Sequence, residues 1–300
     1  MPPENSPLPM PSRITAKHTW WRVFLIGLLL YVISIVLTVM TGNPNLFPTM
    51  ILLGNFLIPI TFVIFLYERQ HLSSITFSRL MLCLFYGGVL GICAAGFLEP
   101  LLLSYGRSDF VGTSSTIDLI TAFKIGLIEE FVKGLVVVFM ARNLRHTSEL
   151  NGLLIGAAVG MGFAALESTG YAFSVFLDVF AKVGEKPVDQ EAIAILFTVV
   201  ITALRSLLAP FGHAVWTALL AAVLFRESSS SRFRLTGLVV LTYFTVALLH
   251  GLWDGLPGLI TVPFVNLLSL LIVGIAGLLM LVRVWKNALY REGKVINHLS

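Results

Sequence analysis

The stretch LIEEFVKGLVVV, Leu127–Val138, decides how the chain folds. It is apolar enough to lie in a bilayer, yet it carries Glu129, Glu130 and Lys133. An unpaired charge in hydrocarbon is costly, so these three must be compensated or used. Lys133 follows Glu129 by four residues and Glu130 by three, which on a helix puts it on a face with both. One Glu with one Lys reads equally well as a buried ion pair that only locks helices together. The second carboxylate tips the balance. Two like charges side by side in low dielectric cannot both stay ionised without help, the condition for a carboxyl that exchanges protons near neutrality.

The rest of the chain explains how such a segment is tolerated. Of 300 residues, 57% are hydrophobic and only 12% charged, and the mean hydropathy is +0.90; no soluble domain of this size has that composition. Apolar runs of about 20 residues recur between short polar connections, long enough to span as helices and too long for the strands of a barrel. The pattern predicts an all-α, polytopic transmembrane bundle of eight spans. They are Trp20–Met40, Met50–Tyr67, Leu80–Leu103, Asp118–Met140, Gly152–Leu177, Phe197–Phe225, Leu235–Leu256 and Val262–Val284.

Lys and Arg gather in alternate connections: Arg13, Lys17 and Arg22, then Arg69 and Arg79, Arg142 and Arg145, Arg226, Arg232 and Arg234, and finally Arg283, Lys286, Arg291 and Lys294. By the positive-inside rule both termini are cytoplasmic. The expected organisation is a flexible tail over 1–19, one membrane domain over 20–286 with its chemistry in 118–256, and a cytoplasmic tail over 287–300. The net charge of +4 is spread between spans, so it reports orientation and not nucleic-acid binding. The first apolar core is too long for a secretory h-region and reads as a retained anchor. Cys83 and Cys93 lie about 15 Å apart along one helix, too far for a disulfide. The connection DVFAKVGEKPVDQEAI, 178–193, reads as a solvated outer loop.

Further polar residues sit inside the later spans. Glu167 ends a small-residue stretch, GAAVGMGFAALE, whose glycines suit close helix packing, and Tyr171 follows at i+4 as a hydrogen-bond partner. Pro210 loosens span six one turn before His213, and Arg205 pairs with an acid or reaches the outer interface. His250 and Asp254 are four apart, so Asp254 can fix the imidazole tautomer. At about 1.5 Å per residue, Glu129, Glu167, His213 and His250 fall about 9 to 16 Å below the outer ends of their spans. Four helices thus bring titratable groups to one layer, as a buried reaction centre requires. Glu99, Asp118 and Lys124 fall outside this set: a residue at a proline kink, an N-cap and a snorkelling lysine.

With these residues in view, the sequence resembles the PrsW family of intramembrane proteases, and more distantly the CAAX-processing and bacteriocin-immunity membrane proteases. The matching motifs are EEFVK at Glu129, GxxxGxGFAxxE ending at Glu167 with Tyr171 after it, HAVWT at His213 and HGLWD at His250. One departure is Ser168, where many family members have Asn; Ser can still donate a hydrogen bond. The resemblance implies cleavage of a peptide bond within or beside the membrane helix of a single-span protein, for example an anti-sigma factor in a bacterial stress response, at the cell membrane.

The expected mechanism is glutamate-based. A carboxylate of the Glu129–Glu130 pair activates water, and Lys133 keeps one carboxylate ionised. His213 or His250 steadies the oxyanion or protonates the leaving amine, Asp254 orients His250, and Glu167 holds water or a histidine. The sequence commits to no cofactor: a metal variant uses the same residues, with His213, His250 and Glu167 as Zn²⁺ ligands, although no HExxH is present. A non-proteolytic scaffold or immunity protein and a proton-coupled transporter are the alternatives, and the sequence leaves the oligomeric state open.

Overall fold

The computed structural model describes residues 18–70, 72–103, 118–144, 148–182, 187–229, 232–259 and 263–299. Most of the N-terminal tail with Arg13 and Lys17, Arg107, Arg145 and Lys186 lie outside the described residues. What is described is helical: α1 (Thr19–Thr41), α2 (Phe47–Arg69), α3 (Phe77–Leu103), α4 (Leu119–Ala141), α5 (Glu149–Lys182), α6 (Pro187–Leu208), α7 (His213–Glu227), α8 (Gly237–Leu259) and α9 (Pro263–Leu299). Seven segments are long and apolar enough to cross a membrane, α6 and α7 counting as one. The eighth span is α4, whose apolar run is broken by Glu129, Glu130 and Lys133. All three are buried, so the bundle and not lipid receives them.

Two boundaries differ from the sequence reading. Span six is broken in two: a 3-10 turn at Ala209–Phe211 follows α6, and α7 begins at His213. Pro210 lacks an N–H and crowds the preceding turn, and here the loosening expected is a complete break, whereas α2 and α3 continue through Pro59 and Pro100. The supposed outer loop is largely helical, because α5 runs on to Lys182 and α6 already begins at Pro187, where proline is well suited to a helix start. In addition, α9 stays helical to Leu299, well past Val284. Asp118 does cap α4, accepting hydrogen bonds from the Ile120 and Thr121 amides at 3.0 Å.

The centre of the bundle is α5, which packs on α2, α3, α4, α6, α7 and α9. Lipid offers no hydrophobic drive for helices to associate, so close backbone approach must supply the packing energy. Gly160 shows how close: a Cβ there would stand 2.7 Å from the His213 carbonyl carbon and 3.0 Å from Ala214 Cα. Gly126 does the same between α4 and α8, where a Cβ would meet the Ala247 carbonyl oxygen at 2.6 Å and His250 Cβ at 3.1 Å. These two contacts set the distances among α4, α5, α7 and α8 on which the polar layer depends. By contrast α1 is peripheral; Glu68 at the end of α2 accepts hydrogen bonds from the Thr19 and Trp20 amides and ties its start down.

The basic ends of the helices lie together. Arg79 of α3 donates to the Met140 carbonyl of α4 at 2.9 Å, and Glu149 of α5 meets Arg226 of α7 and Arg291 of α9 at 3.4 and 3.3 Å. Among the described residues, Arg226 and Arg291 of the alternating basic set are thus brought together through Glu149.

Candidate active site

Adjacent residues on a helix point about 100° apart, so Glu129 and Glu130 meet different neighbours. Glu130 is fully enclosed. Its Oε1 lies 2.6 Å from Lys133 Nζ and 3.0 Å from His250 Nδ1, and its Oε2 accepts from Thr217 Oγ1 at 3.3 Å. Both oxygens are engaged, which suits a residue that holds others in place. Glu129 faces the histidines: its Oε2 lies 3.3 Å from Lys133 Nζ, 3.5 Å from His250 Nε2 and 3.9 Å from His213 Nδ1. Lys133 uses its three protons on Glu129, Glu130 and His213 Nδ1, the last at 2.9 Å, and lies 4.3 Å from the Phe163 ring centroid.

These contacts assign the imidazole tautomers. An ammonium can only donate, so His213 Nδ1 accepts from Lys133 and the ring proton sits on Nε2, which lies 2.9 Å from Glu167 Oε2. An ionised carboxylate can only accept, so His250 Nδ1 carries its proton toward Glu130. Its Nε2 faces the carboxylates of Glu129 and Asp254 and offers a lone pair to an ion once it carries no proton. This buried atom has no directed hydrogen bond, although Asp254 Oδ2 stands 3.2 Å away. Trp216 stacks on His250 at 4.6 Å and meets His213 edge-on at 5.4 Å, fixing both rings.

Glu167 is in turn held by Arg205, whose Nη2 lies 2.9 Å from Oε2. Neither contact of this oxygen has ideal hydrogen-bond angles, so the pairing with Arg205 is one of charge. Arg205 Nε donates to Ser168 Oγ at 3.2 Å, and its guanidinium lies 4.0 Å over the Tyr171 ring. Tyr171 therefore serves Arg205 through its ring face, a different role from the Glu167 hydroxyl partner expected. Ser168 keeps a hydrogen bond in the position where Asn was expected.

All six acidic and imidazole residues read from the sequence meet in this layer, with Lys133, Arg205 and Tyr171 around them. Thr217 was missed, although its place four residues after His213 on one helical face was a usable signal. Beside His213 and Asp254 lies a cavity of about 320 Å³, walled further by Ser168, Arg205, Gly212 and Trp253.

A family model for PrsW family intramembrane metalloproteases matches residues 76–284. The chain belongs to the PrsW family. No curated protein and no solved structure matches it. The matched span runs from the start of α3 into α9, so it takes in all four motifs and leaves out α1 and α2. The protein is thus a multi-pass intramembrane peptidase whose substrates are membrane proteins.

PrsW proteins are described as metalloproteases, and the donors here suit a divalent ion. One ligand atom from each of Glu129, His213 and His250 lies within 4.8 Å of the others. Both imidazoles carry a proton on the far nitrogen against a carboxylate, the outer support that metal-bound histidines usually have. Glu129 replaces Glu167 in the donor set expected from sequence, because Glu167 contacts the opposite nitrogen of His213. Lys133 Nζ already contacts two of the three donors. A bound dication would require it to draw back onto Glu130, its nearest partner.

Proposed function

We propose that the protein is a zinc-dependent intramembrane endopeptidase whose ion is held by His213 Nδ1, His250 Nε2 and Glu129. The observation that carries this reading is the convergence of those three donors, with each imidazole backed by a carboxylate from a neighbouring helix. When bound, the ion would polarise the scissile carbonyl and acidify a water molecule. The remaining work belongs to side chains. Glu130 with Thr217 orients His250, and Arg205 through Glu167 orients His213. Asp254 is about one-third exposed and lines the cavity; its Oδ2 takes the water's proton and returns it to the leaving amine.

Among the described residues α6 is not packed against α9, and the cavity wall takes Leu204 from α6 and Leu270 from α9. This gap suits sideways admission of a single-span substrate, of which an anti-sigma factor is the proposed example. A second reading rests on Lys133. A cation already neutralises this site, so Glu129 could activate water with no ion, the glutamate mechanism. Cleavage of a membrane-spanning peptide in proteoliposomes, before and after chelation, separates the two. Loss of cleavage on chelation with recovery on adding Zn²⁺ is expected; undiminished cleavage by metal-free protein would leave the glutamate mechanism and remove the zinc one.

A further inference from the structure

At the basic end of the bundle a second cavity, of about 150 Å³, opens between the start of α3 and the end of α4. It is lined by Arg79, Tyr86, Phe139, Met140, Arg142 and Asn143. Arg79 spends one nitrogen on the Met140 carbonyl, and Arg142 lies 4.2 Å over the Phe139 ring. Among the described residues neither guanidinium has a carboxylate partner, so two positive charges share a small cavity without a counter-ion. Lys133, Arg205, Arg226 and Arg291, in contrast, each meet an acid.

An apolar track leads away from this cavity toward the middle of the membrane. On α4, Phe139, Leu135 and Phe131 recur at four-residue spacing and are 43%, 52% and 51% exposed; on α3, Tyr86 meets Phe139 edge-on at 6.3 Å, and Leu82 and Phe85 are exposed as well. The track covers about 12 Å of helix. A divided surface of this kind, cationic at the interface and apolar below, matches an anionic glycerophospholipid: phosphate on the two arginines, acyl chains along the aromatic and leucine side chains. Basic pockets between helices on the cytoplasmic side are suited to such headgroups, and arginine's forked donors match phosphate oxygens.

We propose that Arg79 and Arg142 form a binding site for the phosphate of an anionic phospholipid of the inner leaflet. The test uses the full chain, purified in detergent and stripped of lipid. Native mass spectrometry and thermal unfolding follow titration with phosphatidylglycerol, phosphatidylcholine or inorganic phosphate. Phosphatidylglycerol is expected to be retained and to raise the melting temperature, while phosphatidylcholine is not retained and inorganic phosphate does not displace it. Arg142→Gln should weaken retention about five- to tenfold, from the roughly 1 kcal/mol that each interfacial arginine contributes. Arg142→Lys should keep most of it, which shows that the fold is intact. Arg69 is the control, a basic residue that lies over Phe65 at 5.2 Å but does not line the cavity. Equal loss in Arg69→Gln, equal retention of phosphatidylcholine, displacement by inorganic phosphate, or no loss in Arg142→Gln would each overturn the proposal.

Discussion

Two ionic clusters in this molecule use the same chemistry at different depths. In the middle of the bundle, Lys133 joins Glu129, Glu130 and His213 with its side chain fully buried. At the basic end, Glu149 joins Arg226 and Arg291 at 3.4 and 3.3 Å, with the Arg291 side chain 54% exposed. In the shallow cluster the arginines can turn to water, while Glu149 itself is buried and one of its oxygens has no directed hydrogen bond. The deep cluster has no such fallback. Every proton of Lys133 has a partner there, and the charge left facing the histidines is available for chemistry. Depth, more than the identity of the residues, separates a structural ion pair from a reaction centre.

The comparison can be broken at four points. Glu129→Gln preserves size and hydrogen bonding but removes the charge facing both imidazoles; cleavage in proteoliposomes should fall about 10²- to 10⁴-fold, with folding intact by thermal unfolding. Arg205→Gln or Glu167→Gln should lower activity or metal affinity about 10- to 100-fold by releasing His213 from its outer support. Lys133→Met should destabilise the protein by about 3–5 kcal/mol, because two carboxylates lose their cation; adding Glu130→Gln should recover part of that loss in chemical unfolding. If the single variant melts like the parent, the deep cluster is not compensated as described. Arg291→Gln at the shallow cluster should cost about 1 kcal/mol or less, and less still at high salt.

Much of this site could be read in the sequence because membrane burial makes polar residues conspicuous. Glu129, Glu130, Glu167, His213 and His250 stand out against apolar runs, and helical periodicity relates Lys133 to the glutamates and Asp254 to His250. Contacts between helices were harder. Arg205 was expected to find an acid, but spacing within α6 could not select Glu167 on α5, nor Lys133 as the partner of His213 Nδ1. The division of labour between Glu129 and Glu130 was equally hidden, since it depends on which neighbours α7 and α8 present. The break before His213 showed only as Pro210 inside an otherwise continuous apolar run. Helical continuity beyond Leu177 and Val284 was lost because polar composition there resembled loop and tail.

The central claim is that Glu129, His213 and His250 together hold one catalytic ion, and metal content per chain tests it most directly. Protein purified without chelator should carry about one divalent ion. Glu129→Gln, His213→Ala and His250→Ala should each lose it, while Arg291→Gln retains it. A parent protein that cleaves its substrate at full rate with no bound metal would contradict the claim.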